Sequence, residues 1–346
     1  MSKIGSGSFA ESDPDSYGAV SDPIHHATAV TAFGKIKTFA GLEKDEWLFV
    51  IISTNNILFA IGLTIERLVN LPQNSTDYTF AIILFINTVF CLYYAIHGVL
   101  REREFEIYAY IAATAVLIIY IVLDLALNTS RPAVKWARFG LLVFFGPSNV
   151  YYGYKVVKGF GYLEFKTVGA AVSLQKMYRL AGIFSVLLKF DLQLAVSLLV
   201  LVIQNTTSLS LQEKLVVGIG VPVQVIWAYL GWIIMRREIL NLVWVFLPWS
   251  FLEPGYLIYR TYDIIANWKS QDNSNILFYT FFGAAALALI IRVLVLVSLR
   301  FVVNNFGQGL REMVFALPIS DDQPPILPRK RDIAKCCGIV CCGPLG

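Results

Sequence analysis

The amino-acid sequence predicts an all-α protein, a polytopic transmembrane bundle of eight helices with both termini in the cytoplasm. The 346 residues have a mean hydropathy of +0.63, and only 15% of them are charged, whereas soluble domains average about 25%. Eight apolar runs are each long enough to cross a bilayer, which takes about 20 residues. The basic residues are also unevenly divided between alternate loops, as the positive-inside rule requires.

The eight runs are expected to be helices, because every backbone polar group in lipid needs a partner within the structure. They are too long and too uniformly apolar for barrel strands. Polar breaks such as LPQNSTDY and RERE separate them, and no internal repeat is evident in the sequence. The predicted spans are residues 47–65, 79–100, 105–127, 134–153, 181–204, 215–235, 239–261 and 276–300.

The orientation follows from the lysines and arginines. With a cytoplasmic N-terminus, 19 of them fall in cytoplasmic segments and 7 in outer loops, which favours both termini inside. Three N-x-S/T sequons, at Asn74, Asn128 and Asn205, then fall on the outer side as candidate glycosylation sites. Residues 1–46 are predicted as a disordered cytoplasmic tail, 47–300 as the membrane domain and 301–346 as a cytoplasmic C-terminal tail.

Both tails carry short motifs. Tyr17 to Val20 (YGAV) matches a tyrosine-based sorting pattern, and the alternative is a plain solvated tail. The C-terminal segment RKRDIAKCCGIVCCGPLG predicts palmitoylation beside basic residues that attract anionic lipid. Metal binding and unmodified thiols are the alternatives. The candidate acylation sites are Cys336, Cys337, Cys341 and Cys342.

Charged residues lie deep within two predicted spans. At a rise of 1.5 Å per residue, Lys189 and Arg292 both lie about 12 Å from the inner edge, and Asp191 about 15 Å. The matching depths make Asp191 the expected partner of Arg292, whereas Lys189 lies on the opposite face of its helix. Five more polar residues are expected to join this layer, since polar groups in lipid should face inward. They are Asn55, Asn56, Asn87, Gln224 and Glu253.

This polar layer has two interpretations. It could line a solute or proton pathway, or it could pin the helices together through one salt bridge and several amide hydrogen bonds. Prolines favour the pathway interpretation, because broken helices in transporters leave backbone groups free to bind a substrate. Pro147 and Pro222 are expected to interrupt the fourth and sixth spans, and Pro248 and Pro254 the seventh. Glu253 directly precedes the last of these prolines.

The catalytic and phosphate-binding motifs that the sequence lacks make several classes of function unfavourable. No H-E-x-x-H, G-x-S-x-G or phosphate-binding loop is present, so we expect no enzyme activity, cofactor or metal. The sequence shows no basic stretch with interleaved aromatic residues, so we expect no binding of nucleic acid. The sequence favours a transporter or channel for a small ion or solute, in the plasma membrane or an endosomal or lysosomal membrane of a eukaryotic cell. The main alternative is a non-catalytic scaffold, accessory or trafficking protein with an acylated tail. A heptahelical receptor and an enzyme with intramembrane carboxylates are less favoured.

Overall fold

The computed structural model describes residues 28–31, 34–72, 76–127, 133–201, 211–266 and 275–311, together with residue 314. Helices make up most of these residues. They are α1 (Lys44–Asn70), α2 (Thr76–Leu100), α3 (Glu104–Leu127), α4 (Ala133–Gly159), α5 (Tyr162–Val168), α6 (Val172–Leu201), α7 (Leu211–Arg237), α8 (Leu240–Trp249), α9 (Leu252–Ala266) and α10 (Asn275–Asn304).

The segment before α1 contains local structure within the range predicted as a tail. Two strands of four residues, β1 (Thr28–Thr31) and β2 (Gly34–Lys37), pair with each other, and a 3₁₀ turn follows at Phe39–Gly41. The first helix then starts at a capping box, in which Glu43 and Glu46 bond reciprocally with each other's backbone N–H groups. Its last turn is followed directly by Leu71 and Pro72, where the helix cannot continue.

Five of the helices are long and apolar enough to cross a membrane. They are α1, α2, α6, α7 and α10, which coincide with the first, second, fifth, sixth and eighth predicted spans. The helical character of the chain is thereby confirmed, and these apolar helices indicate a membrane-embedded protein. In the remaining three predicted spans, α3 and α4 occupy the third and fourth, and the seventh is divided between α8 and α9.

Two of the predicted helix interruptions are wrong. α4 continues through Pro147 and α7 continues through Pro222. Proline removes one backbone N–H from a helix, but membrane helices tolerate that loss where neighbouring groups satisfy the carbonyl that is freed. The expected break is found only in the seventh predicted span, where α8 ends at Trp249 and α9 begins at Leu252.

Contacts divide the helices between two units, of which the first contains the helices before Leu163 and the second those that follow α5. In the first unit, α1 packs against α2 and α4, and α3 packs against the same two helices. In the second unit, α6 packs against α7 and α10, α7 packs against α8, and α10 packs against α9. If α8 and α9 are taken together as one broken helix, each unit is the same ring of four helices.

This shared arrangement is an internal repeat, so the expectation of no repeat was wrong. An offset of 136 in residue number aligns α2 and α3 with α7 and the broken helix α8–α9, and pairs Glu102 with Glu238. A shift of 135 residues relates α1 to α6 and brings buried Phe49 onto buried Phe184. Most paired positions carry different residues, which a helix core tolerates when the substituted residues are apolar and similar in volume.

Candidate functional site

Three charged residues predicted for the polar layer meet inside the second unit. Arg292 on α10 has its Nη2 atom 2.9 Å from Asp191 Oδ2 on α6, which is the pairing that their matched depths predict. The same Nη2 contacts the Oε2 atom of Glu253 on α9. One guanidinium therefore holds carboxylates from two different helices.

Gln224 on α7 adds a fourth helix to this cluster. Its Nε2 atom donates a hydrogen bond of 2.8 Å to Glu253 Oε2, and its Oε1 atom lies 3.4 Å from Arg292 Nη2. A side-chain amide can donate to the acid and accept from the base at the same time. Gln224 thus bridges the two ions, and we refer to Asp191, Gln224, Glu253 and Arg292 together as the charge cluster.

The three ionic members of the cluster are buried. Asp191, Arg292 and Glu253 are 1%, 3% and 9% exposed. Removing a charge from water costs several kcal/mol, and only a well-placed opposite charge and hydrogen bonds offset that cost. The mutual contacts therefore offset part of the cost of burying these groups.

An aromatic side chain forms one wall of the cluster. The Arg292 guanidinium lies over the Trp227 ring, 3.8 Å from its centroid, and Phe246 stacks on that ring at 4.5 Å. Trp227 Nε1 donates a 3.1 Å hydrogen bond to Ser250 Oγ, which donates in turn to the Phe246 carbonyl at 2.7 Å. Sequence analysis did not identify Trp227, although its position three residues after Gln224 places both on one helix face.

The break between α8 and α9 positions Glu253. Ser250 and Phe251 close the last turn of α8 through bonds from their N–H groups to Leu247 and Pro248. Glu253 then stands in the first turn of α9, where the helix dipole favours an acidic group. Pro254, the next residue, is tolerated there because the N–H groups of a first turn have no helical partner.

A cavity of about 380 Å³ adjoins the charge cluster and lies between α6, α7 and α9. Gln224 and Glu253 line one part of it, and Tyr256 is its other polar lining residue. The rest of the wall is apolar. Its remaining lining residues are Ala195, Leu198, Leu199, Leu215, Val216, Ile219, Gly220, Val223, Leu252 and Leu257.

The first unit has a smaller, uncharged pocket at the equivalent place. It measures about 70 Å³ and is lined in part by Asn56, Thr88, Cys91, Tyr110 and Thr114. The repeat pairs Thr88 with Gln224, Cys91 with Trp227, Tyr110 with Phe246, Thr114 with Ser250 and Leu117 with Glu253. Asn56 stands where the second unit has Asp191. Each unit thus has a pocket in this region, and of the two only the second is lined by an ionic residue, Glu253.

The other residues predicted for the polar layer do not join the charge cluster. Lys189 on α6 is half-buried. In the first unit, the side-chain amides of Asn55 and Asn87 donate to the carbonyls of Ile51 and Ile83 in their own helices. Asn56 lines the pocket of the first unit. These asparagines therefore have local roles.

The predicted modification and sorting residues lie outside the described residues. They are Tyr17, Val20, Asn74, Asn128, Asn205, Cys336, Cys337, Cys341 and Cys342.

A second ionic group, at the ends of α1 and α2, was not foreseen. Lys37, 2% exposed, has its Nζ atom 2.8 Å from Glu46 Oε1 and 2.7 Å from Glu102 Oε1. Burial lowers the pKa of Lys37, but the hydrogen bonds and charges of Glu102 and Glu46 outweigh it and hold the pKa above 10.5. Nothing in the spacing of Lys37 and Glu102 along the chain signals this contact, because it depends on tertiary structure.

Comparison with curated proteins gave no match, and neither did comparison with solved structures. One family profile does match, over residues 33–157 and 168–301. These two stretches make up more than half of the chain, and they fall on the two copies of the four-helix unit. The chain therefore belongs to the family described as Domain of unknown function (DUF7789).

Proposed function

We propose that this protein is a membrane transporter or channel in which the second unit carries the solute site. The observation that supports this proposal is the cavity of about 380 Å³ whose wall includes Gln224 and Glu253 of the charge cluster. Ionic groups within a bilayer are costly and mark ion or substrate pathways. A broken helix beside such a cavity is a common feature of transporter binding sites.

In the proposed topology the chain crosses the membrane eight times, with both termini in the cytoplasm. The five apolar helices are supplemented by α3, α4 and the pair α8–α9, so that each unit crosses four times. At 1.5 Å per residue, the 24 residues of α3 extend for about 36 Å, enough for a hydrocarbon core of about 30 Å. The basic turns RERE and MRREI then face the cytoplasm.

The chemistry of the cavity limits the solute. Its wall is apolar except for Gln224, Glu253 and Tyr256. Such a site fits a small, largely apolar molecule with one hydrogen-bonding or cationic group, because a few placed polar groups fix the orientation of a ligand in an apolar pocket. No catalytic step is part of this proposal.

Cysteine labelling tests whether solutes reach the cavity from water. Val223 lines it, whereas Val225, two residues further along α7, is 48% exposed on the outside of the unit. In a background with the four C-terminal cysteines changed to serine, we expect Val223→Cys to react with a membrane-impermeant thiol reagent from one side of sealed vesicles. Val225→Cys, the matched control, should stay unlabelled in lipid. Protection of both cysteines from both sides would contradict a pathway.

A scaffold or accessory protein is the second candidate, favoured by one observation. The ionic members of the charge cluster pair with each other, as expected of groups that only hold helices together. A scaffold would leave Val223→Cys unlabelled and would co-purify with a stable partner. Under either function we propose a plasma, endosomal or lysosomal membrane, with acylated C-terminal cysteines and anionic lipid near the basic tail.

A further inference from the structure

The charge cluster contains more acid than base. Asp191 and Glu253 would contribute two negative charges and Arg292 one positive charge, so the ionised cluster would have a net charge of −1. An uncompensated charge in an apolar interior is strongly unfavourable. One more positive charge is needed for neutrality.

Among the described residues, the cation in contact with the two carboxylates is Arg292, and Arg260 on α9 pairs instead with Asp263. From α7, Gln224 belongs to the cluster and Trp227 forms its wall, and neither side chain carries a charge. α9 contributes Tyr256 to the cavity wall, and α10 contributes Arg292. On α6, Lys189 lies two residues from Asp191, which places it about 200° away around the helix.

One carboxyl oxygen is enclosed without a donor. Asp191 Oδ1 has no hydrogen-bond partner among the described residues, and Asp191 is only 1% exposed. A buried acceptor without a partner is costly. Protonation of one carboxyl group of the cluster would remove the excess negative charge.

We propose that Asp191 and Glu253 share one exchangeable proton, which enters through the cavity by way of Glu253. In this step hydronium transfers a proton to a carboxylate oxygen and leaves as water, so one O–H bond breaks, another forms, and the net charge of the cluster changes from −1 to zero. Glu253 is the point of entry because it lines the cavity, whereas Asp191 is enclosed. The two acids titrate as a pair, so the proton belongs to the cluster.

This inference deepens the proposed function and rests on it in one respect, which is that water must reach the cavity. The shared proton would be the ion whose binding is coupled to binding of the solute. Protonation would weaken the hold of Arg292 on one carboxylate and so allow α9 to shift relative to α6 and α10. A solute that binds near Glu253 would then compete with, or require, the proton.

Infrared difference spectroscopy of the protein in lipid nanodiscs tests the proposal. We expect the carbonyl band of a protonated carboxylic acid to appear as the pH is lowered and to shift in D₂O. Asp191→Asn and Glu253→Gln should each abolish this band, because each leaves one carboxylate matched to Arg292. Glu238→Gln, which changes a glutamate outside the cluster, should retain it. Persistence of the band in both cluster variants would overturn the proposal.

Two further measurements use the wild-type protein, so they remain informative if a variant does not fold. Carbon-13 labelling of all aspartates or all glutamates in the wild-type protein should shift the same band without any substitution. If no band appears and Na⁺ or K⁺ instead raises the thermal midpoint of the wild type, a metal cation supplies the missing charge and the proton proposal is wrong. Labelling of Val223→Cys in that case would leave the proposed transport function intact.

Discussion

Glu102 and Glu238, 136 residues apart, play the same part in the two copies of the four-helix unit. Both have a left-handed backbone, with φ of 49° and 53°, and they are the two non-glycine residues with positive φ among those described. The Oε2 atom of Glu102 accepts bonds of 3.1 and 2.7 Å from the N–H groups of Gly161 and Leu163. Glu238 Oε2 accepts one of 2.8 Å from Gly307. In each copy, the turn after the second helix thus ties down the segment that follows the fourth.

Substitutions at Glu238 should separate the backbone strain from the hydrogen bond. A left-handed conformation costs a non-glycine residue about 1 kcal/mol, which glycine avoids. We therefore expect Glu238→Ala to lower the free energy of unfolding, and Glu238→Gly to be more stable than Glu238→Ala by about 1 kcal/mol. Denaturant titration in detergent micelles measures this difference. Equal stability of the two variants would mean that the turn is unstrained.

Replacement of Lys37 should destabilise the first unit. Lys37→Met leaves the buried carboxylates of Glu46 and Glu102 without their cation, so we expect a loss of about 3–5 kcal/mol. Lys155→Met, which removes a partner of Asp45 from an exposed ion pair, should change the stability little. Thermal unfolding in detergent compares the two. A similar small effect of both substitutions would contradict the buried network.

The same network predicts a pH dependence. Because the pKa of Lys37 is raised above 10.5 in the folded state, its contribution to stability is complete below pH 10.5 and declines as the pH rises through the folded-state pKa. We expect the wild type to lose more stability than Lys37→Met when the pH is raised above 10.5. If the free energy of unfolding falls with pH in parallel for the two proteins, Lys37 is not the source of the stability lost at alkaline pH.

Ser250 should matter more than a serine in a regular helix. Ser250→Ala leaves the buried Trp227 Nε1–H without an acceptor, which costs about 1–3 kcal/mol. Ser298→Ala removes only a side-chain bond to the carbonyl of Val295 within α10 and should cost less. Denaturant titration in detergent micelles measures the two losses of stability. A loss in Ser250→Ala no greater than that in Ser298→Ala would contradict the hydrogen bond.

Gly231 allows α7 to pack closely against its neighbours. A Cβ atom there would lie 2.9 Å from Leu188 Cδ1 and from Phe246 Cε2, so we expect Gly231→Ala to cost about 1–3 kcal/mol through overpacking. Gly218 on the same helix has open space around it, and Gly218→Ala should stabilise by about 0.5–1 kcal/mol. Stabilisation by both alanines would show that the α6–α7 contact is looser than described.

Part of this structure follows from the sequence alone. The apolar runs predict α1, α2, α6, α7 and α10 because the length and hydropathy of a membrane helix are local properties. The pairing of Asp191 with Arg292 was also accessible, since depth along a helix can be counted in residues. The contact of Glu253 with the same guanidinium could not be predicted from the sequence, because it depends on the position at which α9 begins after the break.

The internal repeat shows where sequence reasoning fails. Tyr93 and Tyr229 are identical across the copies, as are Glu102 and Glu238, but most other positions differ. Substitution of one apolar residue for another preserves a helix core as long as its volume is kept. The repeat is therefore preserved in the order of helix contacts and in the strained turns, which no single-sequence pattern displays.

The central claim is that one guanidinium pairs with carboxylates from two helices inside the second unit. Arg292→Met would leave those carboxylates unpaired, and we expect it to lower the free energy of unfolding by about 3–5 kcal/mol. Arg300→Met, which changes an exposed arginine on the same helix, should change it little.

The most direct measurement adds Asp191→Asn and Glu253→Gln to Arg292→Met and compares the two proteins by denaturant titration in micelles. With no charge left in the cluster, the triple variant should recover most of the stability that Arg292→Met loses. A triple variant no more stable than Arg292→Met would contradict the cluster.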